Sequence, residues 1–254
     1  MDILDSLRKC ARPVVFQTDI EEFPYSTTGT AFIVGFRQSV FVLMPQHVVN
    51  EWPMEKVLIC PSWNSEYMFR YLNWWRIEIT PEDQATSDLI IIKADLSDIP
   101  LAERADTQLL NLNSLENLTW YDERHSSRFF LCGFPSAGSE GVNYTTLEIR
   151  TSQYFMEGVY VDISPFCCGH MIKVMNPLNL CHFNGLSGSP VFSHRRDDTV
   201  GTPPRFCGMA LRGTATSGYI HFLEVEFLMK ALTEIENQNK HTEKTADEGT
   251  EGSK

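Results

Sequence analysis

Turn-forming residues interrupt this chain at short intervals, and between them lie runs dense in β-branched and aromatic side chains. PVVFQ occupies 13–17, TAFIVGF 30–36, VFVLM 40–44 and DLIIIKA 88–94. Further runs fall at 56–60, 67–79, 127–133, 144–154, 158–163, 171–175, 190–193, 205–212 and 218–223. Such side chains fit a pleated surface, and the Gly, Pro, Asn and Ser between them make turns. About a dozen short strands with few helical patterns predict an all-β barrel or sandwich. The run at 88–94 is apolar almost throughout, the pattern of a strand buried on both faces. One amphipathic helix is expected at 225–236, where Val225, Leu228, Met229, Leu232 and Ile235 recur at helical spacing and Glu224 and Glu226 suit the N-terminal dipole. A shorter helix or an irregular loop is expected within 103–117. The segment 237–254 has no apolar face and reads as a disordered tail.

With 254 residues, 43% of them hydrophobic, the chain buries a core without staples and forms one domain or at most two small ones. The formal charge is −12, which repels phosphate backbones and argues against nucleic-acid binding. No apolar run is long enough for a membrane helix. Residues 1–12 carry Asp2, Asp5, Arg8, Lys9 and Arg12 and lack the apolar core of a secretory signal. The seven cysteines are odd in number and irregularly spaced, so a reducing, cytoplasmic setting with buried thiols is expected. Cys167, Cys168, His170, Cys181 and His182 raise the question of a metal, but their spacing is not that of a zinc knuckle. No metal and no cofactor are expected.

Three segments carry chemistry. Ser187 lies in NGLSGSPV, where Gly185 and Gly188 allow a tight turn and Pro190 leads into the next strand. A hydroxyl nucleophile on such a turn can share the space in front of it with backbone N–H donors. Serine needs a base that operates near neutral pH, and His47 in MPQHVV follows a strand that would anchor it. Asp88, at the mouth of an apolar run, needs a partner, and an imidazole N–H is one. Taken singly, each has an ordinary explanation: a Gly/Ser turn, a satisfied half-buried histidine and a strand-capping carboxylate. His182 and His221 remain alternative bases, whereas Asp83, Asp95 and Asp98 read as turn residues. Taken together, the chain order His–Asp–Ser is one of the known orders of a catalytic triad.

These residues resemble the trypsin-like (chymotrypsin-fold) serine peptidases, closest in look to the HtrA and glutamyl-endopeptidase branches. GTAFIV at 29–34 is similar to a GTGFIV-type strand, DLIIIK at 88–93 to a DLALLK-type strand, and GLSGSPV at 185–191 to GNSGGPV. Gly133-Phe134-Pro135 resembles a GYP-type turn, and 207–213 resembles the strand beside the substrate. The resemblance implies a double six-stranded β-barrel with a C-terminal helix, the barrels at 12–105 and 125–224 within a peptidase domain at 1–236. It implies that Ser187 is the nucleophile, His47 the general base and then acid, and Asp88 the group that orients it. The N–H groups of Gly185 and Ser187 would form the oxyanion hole. Cys181, Ala210, Leu211, Arg212 and Gly213 would face the substrate.

The sequence departs from that family pattern in places. Leu186 stands where Asp or Asn is common, and Pro45-Gln46 replaces small residues before the histidine. No histidine occupies 209–211, so a preference for glutamate is not supported, and Cys181 implies an uncharged specificity pocket. Arg212 is either a surface arginine or a contact for acidic substrates. The expected function is a serine endopeptidase acting on a specific intracellular protein, switched on by an activating protein partner. The alternatives are a silent trypsin-like module used for protein binding and a metal or redox protein using Cys167, Cys168 and Cys181.

Overall fold

A computed structural model describes residues 8–49, 52–62, 65–77, 88–107, 109–114, 120–136, 141–146, 148–166, 169–175, 180–199 and 202–248. The strands are β1 (Ala11–Gln17), β2 (Tyr25–Phe36), β3 (Ser39–Met44), β4 (Val57–Leu58), β5 (Arg70–Arg76), β6 (Ile90–Asp95), β7 (Leu110–Asn111), β8 (Ser127–Gly133), β9 (Gly141–Asn143), β10 (Glu148–Arg150), β11 (Tyr154–Ile163), β12 (Gly169–Val174), β13 (Pro190–Arg195), β14 (Arg205–Thr214) and β15 (Tyr219–Glu224). Among the described residues the α-helices with given bounds are α1 (Leu101–Asp106) and α2 (Val225–Glu248).

The fold is mostly β. In the second half, β11-β12-β15-β14-β13-β8 close into a six-stranded barrel. In the first half, β4-β1-β2-β3-β6-β5 form a curved sheet, with β7 pairing in parallel to β2. This sheet corrects the expected closed N-terminal barrel: among the described residues it stays open. Its edge strand β4 is only two residues long, too short for a full ladder, and a backbone bond from Phe69 N–H to Ile59 C=O (2.9 Å) reaches across the gap.

Period-two alternation explains how two cores form. Phe32, Val34 and Phe36 on one face of β2 join the core that fills the closed barrel, while Ala31 and Ile33 on the other face join the core of the first sheet. In β3, Phe41 and Leu43 are divided from Val42 and Met44 in the same way, and in β6 Ile91 is divided from Ile90 and Ile92. The apolar run at 88–94 is therefore a wall between cores, buried on both faces.

Two segments differ from expectation. The run at 144–154 is not one strand, because the Asn143 side chain accepts the N–H groups of Thr145 and Thr146 and folds the chain into a turn between β9 and β10. The segment expected to be a disordered tail from 237 is helical as far as Glu248. Residues 237–248 contain no Gly or Pro, and the first glycine after them is Gly249, outside the described residues. The expected apolar face of α2 is buried through Val225, Leu228, Leu232 and Ile235. Farther along, Glu236 meets Lys93 (3.9 Å) and Asn237 accepts from Arg37 (3.3 Å), so α2 links the barrel to the first sheet. Among the described residues no helix is long and apolar enough to cross a membrane.

Arg12 is buried without a carboxylate. It donates to the carbonyls of Lys9, Ala11 (2.8 Å), Cys60 (3.1 Å) and Pro61 (2.6 Å), tying β1 to the segment after β4. Burial lowers its pKa to about 10. Charge-assisted bonds to buried carbonyls are the strong kind. Arg12→Met is expected to cost about 3 kcal/mol in urea denaturation, and an unchanged midpoint contradicts the clamp.

Candidate active site

Pro45 ends β3, since it has no N–H for the ladder, and opens a 3-10 turn over Gln46–Val48. Val48 and Val49 are buried and anchor that turn, leaving the His47 ring 45% exposed. His47 Nδ1 lies 2.5 Å from Asp88 Oδ2, and the His47 backbone N–H donates to Asp88 Oδ1 at 2.9 Å. Asp88 thus holds both the ring and the backbone of His47. Its own side chain is 15% exposed and sits just ahead of β6, fixed by buried Leu89.

The Ser187 loop is seated on β2. Thr30 N–H donates to Ser187 C=O (2.8 Å), and Gly188 N–H donates to Ala210 C=O (2.7 Å). Gly188 has φ +92°, and a Cβ there would stand 1.7 Å from the Thr30 carbonyl oxygen and 3.0 Å from Pro45 Cδ. The loop therefore lies against the residue two places before His47. The neighbouring Gly29 packs on Val48, where a Cβ would meet its side chain at 2.4 Å. Gly29 and Thr30 are the common seat of the histidine turn and the serine loop. In this structure His47 and Ser187 share no hydrogen bond. Catalytic bonds of unliganded sites tighten when substrate binds.

Gly185 has φ +93° and lies against the turn at 134–136, where its Cβ would fall 2.3 Å from the Phe134 carbonyl oxygen. Among the described residues neither the Gly185 nor the Ser187 N–H donates to a backbone carbonyl, so both are available to an oxyanion. Leu186 is buried in the barrel core, an apolar anchor at the position where the resembled family has a polar residue. Thr30, missed in the sequence, is buried and ties the loop down. Its Oγ1 donates to Gly185 C=O (2.7 Å) and accepts from Phe134 N–H (3.0 Å). The sequence signal was present as one hydroxyl residue at the head of an apolar run. Thr30→Val keeps the shape and removes both bonds. It is expected to lower stability by about 1–3 kcal/mol and to reduce kcat, and a variant with unchanged kcat contradicts this positioning role.

Of the residues expected to face substrate, Ala210 and Leu211 bury their side chains in the core, and the Ala210 N–H and C=O are bonded to Ser189 and Gly188. Arg212 and Cys181 are exposed. Gly213 is close-packed, with Phe183 Cδ2 3.2 Å from where its Cβ would be. The alternative bases are placed differently. His221 is buried in β15, its Nδ1 2.9 Å from Ser164 Oγ, and burial followed by the charge of Arg212 lowers its pKa. His182 is half-buried, with Nδ1 out of solvent. Asp95 binds the backbone and hydroxyl of Ser97, and Asp98 pairs with Arg70 (2.6 Å). Asp83, Cys167 and Cys168 lie outside the described residues. Among those described, no three His, Cys, Asp or Glu side chains are grouped to hold a metal.

No protein-family model matches the sequence, and no curated protein matches it. Among solved structures the chain is similar to that of HL collagenase, with a TM-score of 0.56 over 91% of this chain and 95% of the other, at 10% identity. Agreement over nearly the whole length at so low an identity is agreement of architecture: a closed six-stranded barrel, a curved sheet and one long C-terminal helix, which together are a chymotrypsin-like fold.

Proposed function

We propose that the chain is a serine endopeptidase whose two lobes, 12–105 and 125–224, present one cleft. The observation that carries the reading is the doubly bonded His47–Asp88 pair, with the Ser187 loop and the histidine turn both packed on Gly29 and Thr30 of β2. Ser187 Oγ attacks the scissile carbonyl as His47 Nε2 takes its proton, and the Gly185 and Ser187 N–H groups hold the oxyanion. His47 passes that proton to the leaving amine, giving an acyl-enzyme. Water then attacks the acyl carbon, losing a proton to His47, which returns it to Ser187. Asp88 keeps the Nδ1–H tautomer and stabilises the imidazolium. The substrate is a specific intracellular protein, and a partner protein that orders the oxyanion loop is part of this reading. Cytoplasmic residence is part of this reading. Profiling wild type and Ser187→Ala against a peptide library tests it. Cleavage by wild type alone supports the reading, and equal turnover by both removes it.

A second reading is a silent module of the same fold that binds protein. The missing Ser187–His47 bond favours it. An active-site phosphonate probe separates the two, because a silent serine stays unmodified.

A further inference from the structure

A second concave site lies on the closed barrel, built from none of the residues that hold His47, Asp88 or Ser187. It is a cavity of about 550 Å³ between the segment leading into β8, the start of β12 and the start of α2. Its wall is aromatic. Trp120 is 1% exposed and packs edge-on against Tyr121 (5.6 Å) and His170 (4.9 Å). Its charge is negative, from Asp122, Glu224 and Glu226, and no lysine or arginine lines it among the described residues.

The polar groups at its floor are partly occupied. His170 Nε2 lies 3.2 Å from Glu224 Oε2 and Nδ1 lies 3.1 Å from the Tyr160 hydroxyl, so both ring nitrogens have partners. Glu224 keeps a second oxygen, and its side chain is 37% exposed. Glu226 Oε2 is out of solvent with no hydrogen-bond partner, and so is the indole N–H of buried Trp120. Burial raises the Glu226 pKa, and the indole N–H of Trp120 works against that shift. A buried carboxylate oxygen, in a cavity faced by three acidic side chains and lined by no lysine or arginine among the described residues, is an unmet demand for positive charge. Arg124 already covers Tyr121, its guanidinium 3.9 Å from the ring centroid, which shows how the rings at this edge take a cation.

The rim is apolar. Ile163 pairs across the ladder with His170 and is 59% exposed, and Phe166 beyond it is 52% exposed. Large apolar side chains exposed beside an acidic cavity mark a surface that binds rather than one that solubilises. We propose that this face docks an extended peptide segment in which a lysine or arginine is flanked by apolar residues. The cation enters between Asp122, Glu224 and Glu226, and the flanking side chains cover Ile163 and Phe166. Charge complementarity selects the occupant, and the acidic chain would draw a basic segment in. The proposal stands whether or not Ser187 is reactive.

The test uses fluorescein-labelled peptides with a central Leu-Lys-Leu, Leu-Glu-Leu or Gly-Lys-Gly in a Gly/Ser frame. They are titrated by anisotropy into full-length Ser187→Ala, which prevents cleavage. The Leu-Lys-Leu peptide is expected to saturate, and to bind at least about tenfold more tightly than either control, a gap of about 1.4 kcal/mol. E224Q/E226Q and, independently, I163S/F166S are each expected to weaken it by a similar factor. The second pair is exposed, so it decides the matter if the first does not fold. No saturation by about 1 mM overturns the proposal, as does binding that neither pair of substitutions weakens.

Discussion

Ser187→Ala is expected to lower kcat on a cleaved peptide by on the order of 10⁶-fold and to leave the circular dichroism spectrum unchanged. The size follows from the chemistry. Without Oγ there is no acyl-enzyme, and what remains is the small acceleration that the oxyanion donors and substrate binding give to direct attack by water. The substitution removes one half-buried oxygen from a loop held by backbone bonds to Thr30 and Ala210, none of which involves that oxygen. Loss of activity is therefore not loss of structure. A decrease below about tenfold contradicts the assigned role, because a nucleophile within a triad is not so dispensable.

Asp88→Asn lowers kcat by on the order of 10⁴-fold, for a reason specific to this geometry. Asp88 Oδ1 accepts the His47 backbone N–H, and Oδ2 meets the ring at Nδ1. An asparagine must keep its oxygen toward the backbone N–H, which turns its amide NH₂ toward Nδ1. Nδ1 then accepts, the proton moves to Nε2, and the ring can no longer take the proton of Ser187. Asp88→Ala removes the orienting group without imposing the wrong tautomer. The signature of the account is thus a kcat loss in Asp88→Asn with KM nearly unchanged. A variant that keeps wild-type kcat contradicts the pairing of Asp88 with His47 as the catalytic one.

The parts of the fold legible in the sequence were those written in local pattern. Alternation of 32, 34 and 36 with 31 and 33 is strand periodicity, and 225, 228, 232 and 235 is helix periodicity, so β2 and the start of α2 could be read directly. The break at Asn143 was hidden because a side-chain turn competes with a ladder through one residue. The extension of α2 to Glu248 was hidden because low hydrophobicity argued for disorder, while the absence of Gly and Pro argued the other way. The open edge of the first sheet depends on strand length at 57–58, which no residue preference reveals. In the site, the motif residues announced themselves by type and order. Thr30 did not, because its importance comes from being opposite Gly185 and Phe134, more than a hundred residues away in sequence. Leu186 was visible only as a departure, and its burial shows that packing fixes this loop.

The most direct measurement is intact-mass and peptide-mapping analysis after exposure to a fluorophosphonate, run in parallel on wild type and His47→Ala. Such reagents trap a serine only when a base activates it and donors stabilise the tetrahedral phosphorus. One adduct on Ser187 in wild type, absent when the imidazole is removed, is the predicted result. An unmodified Ser187 in folded wild-type protein, or equal labelling of both proteins, contradicts the catalytic reading.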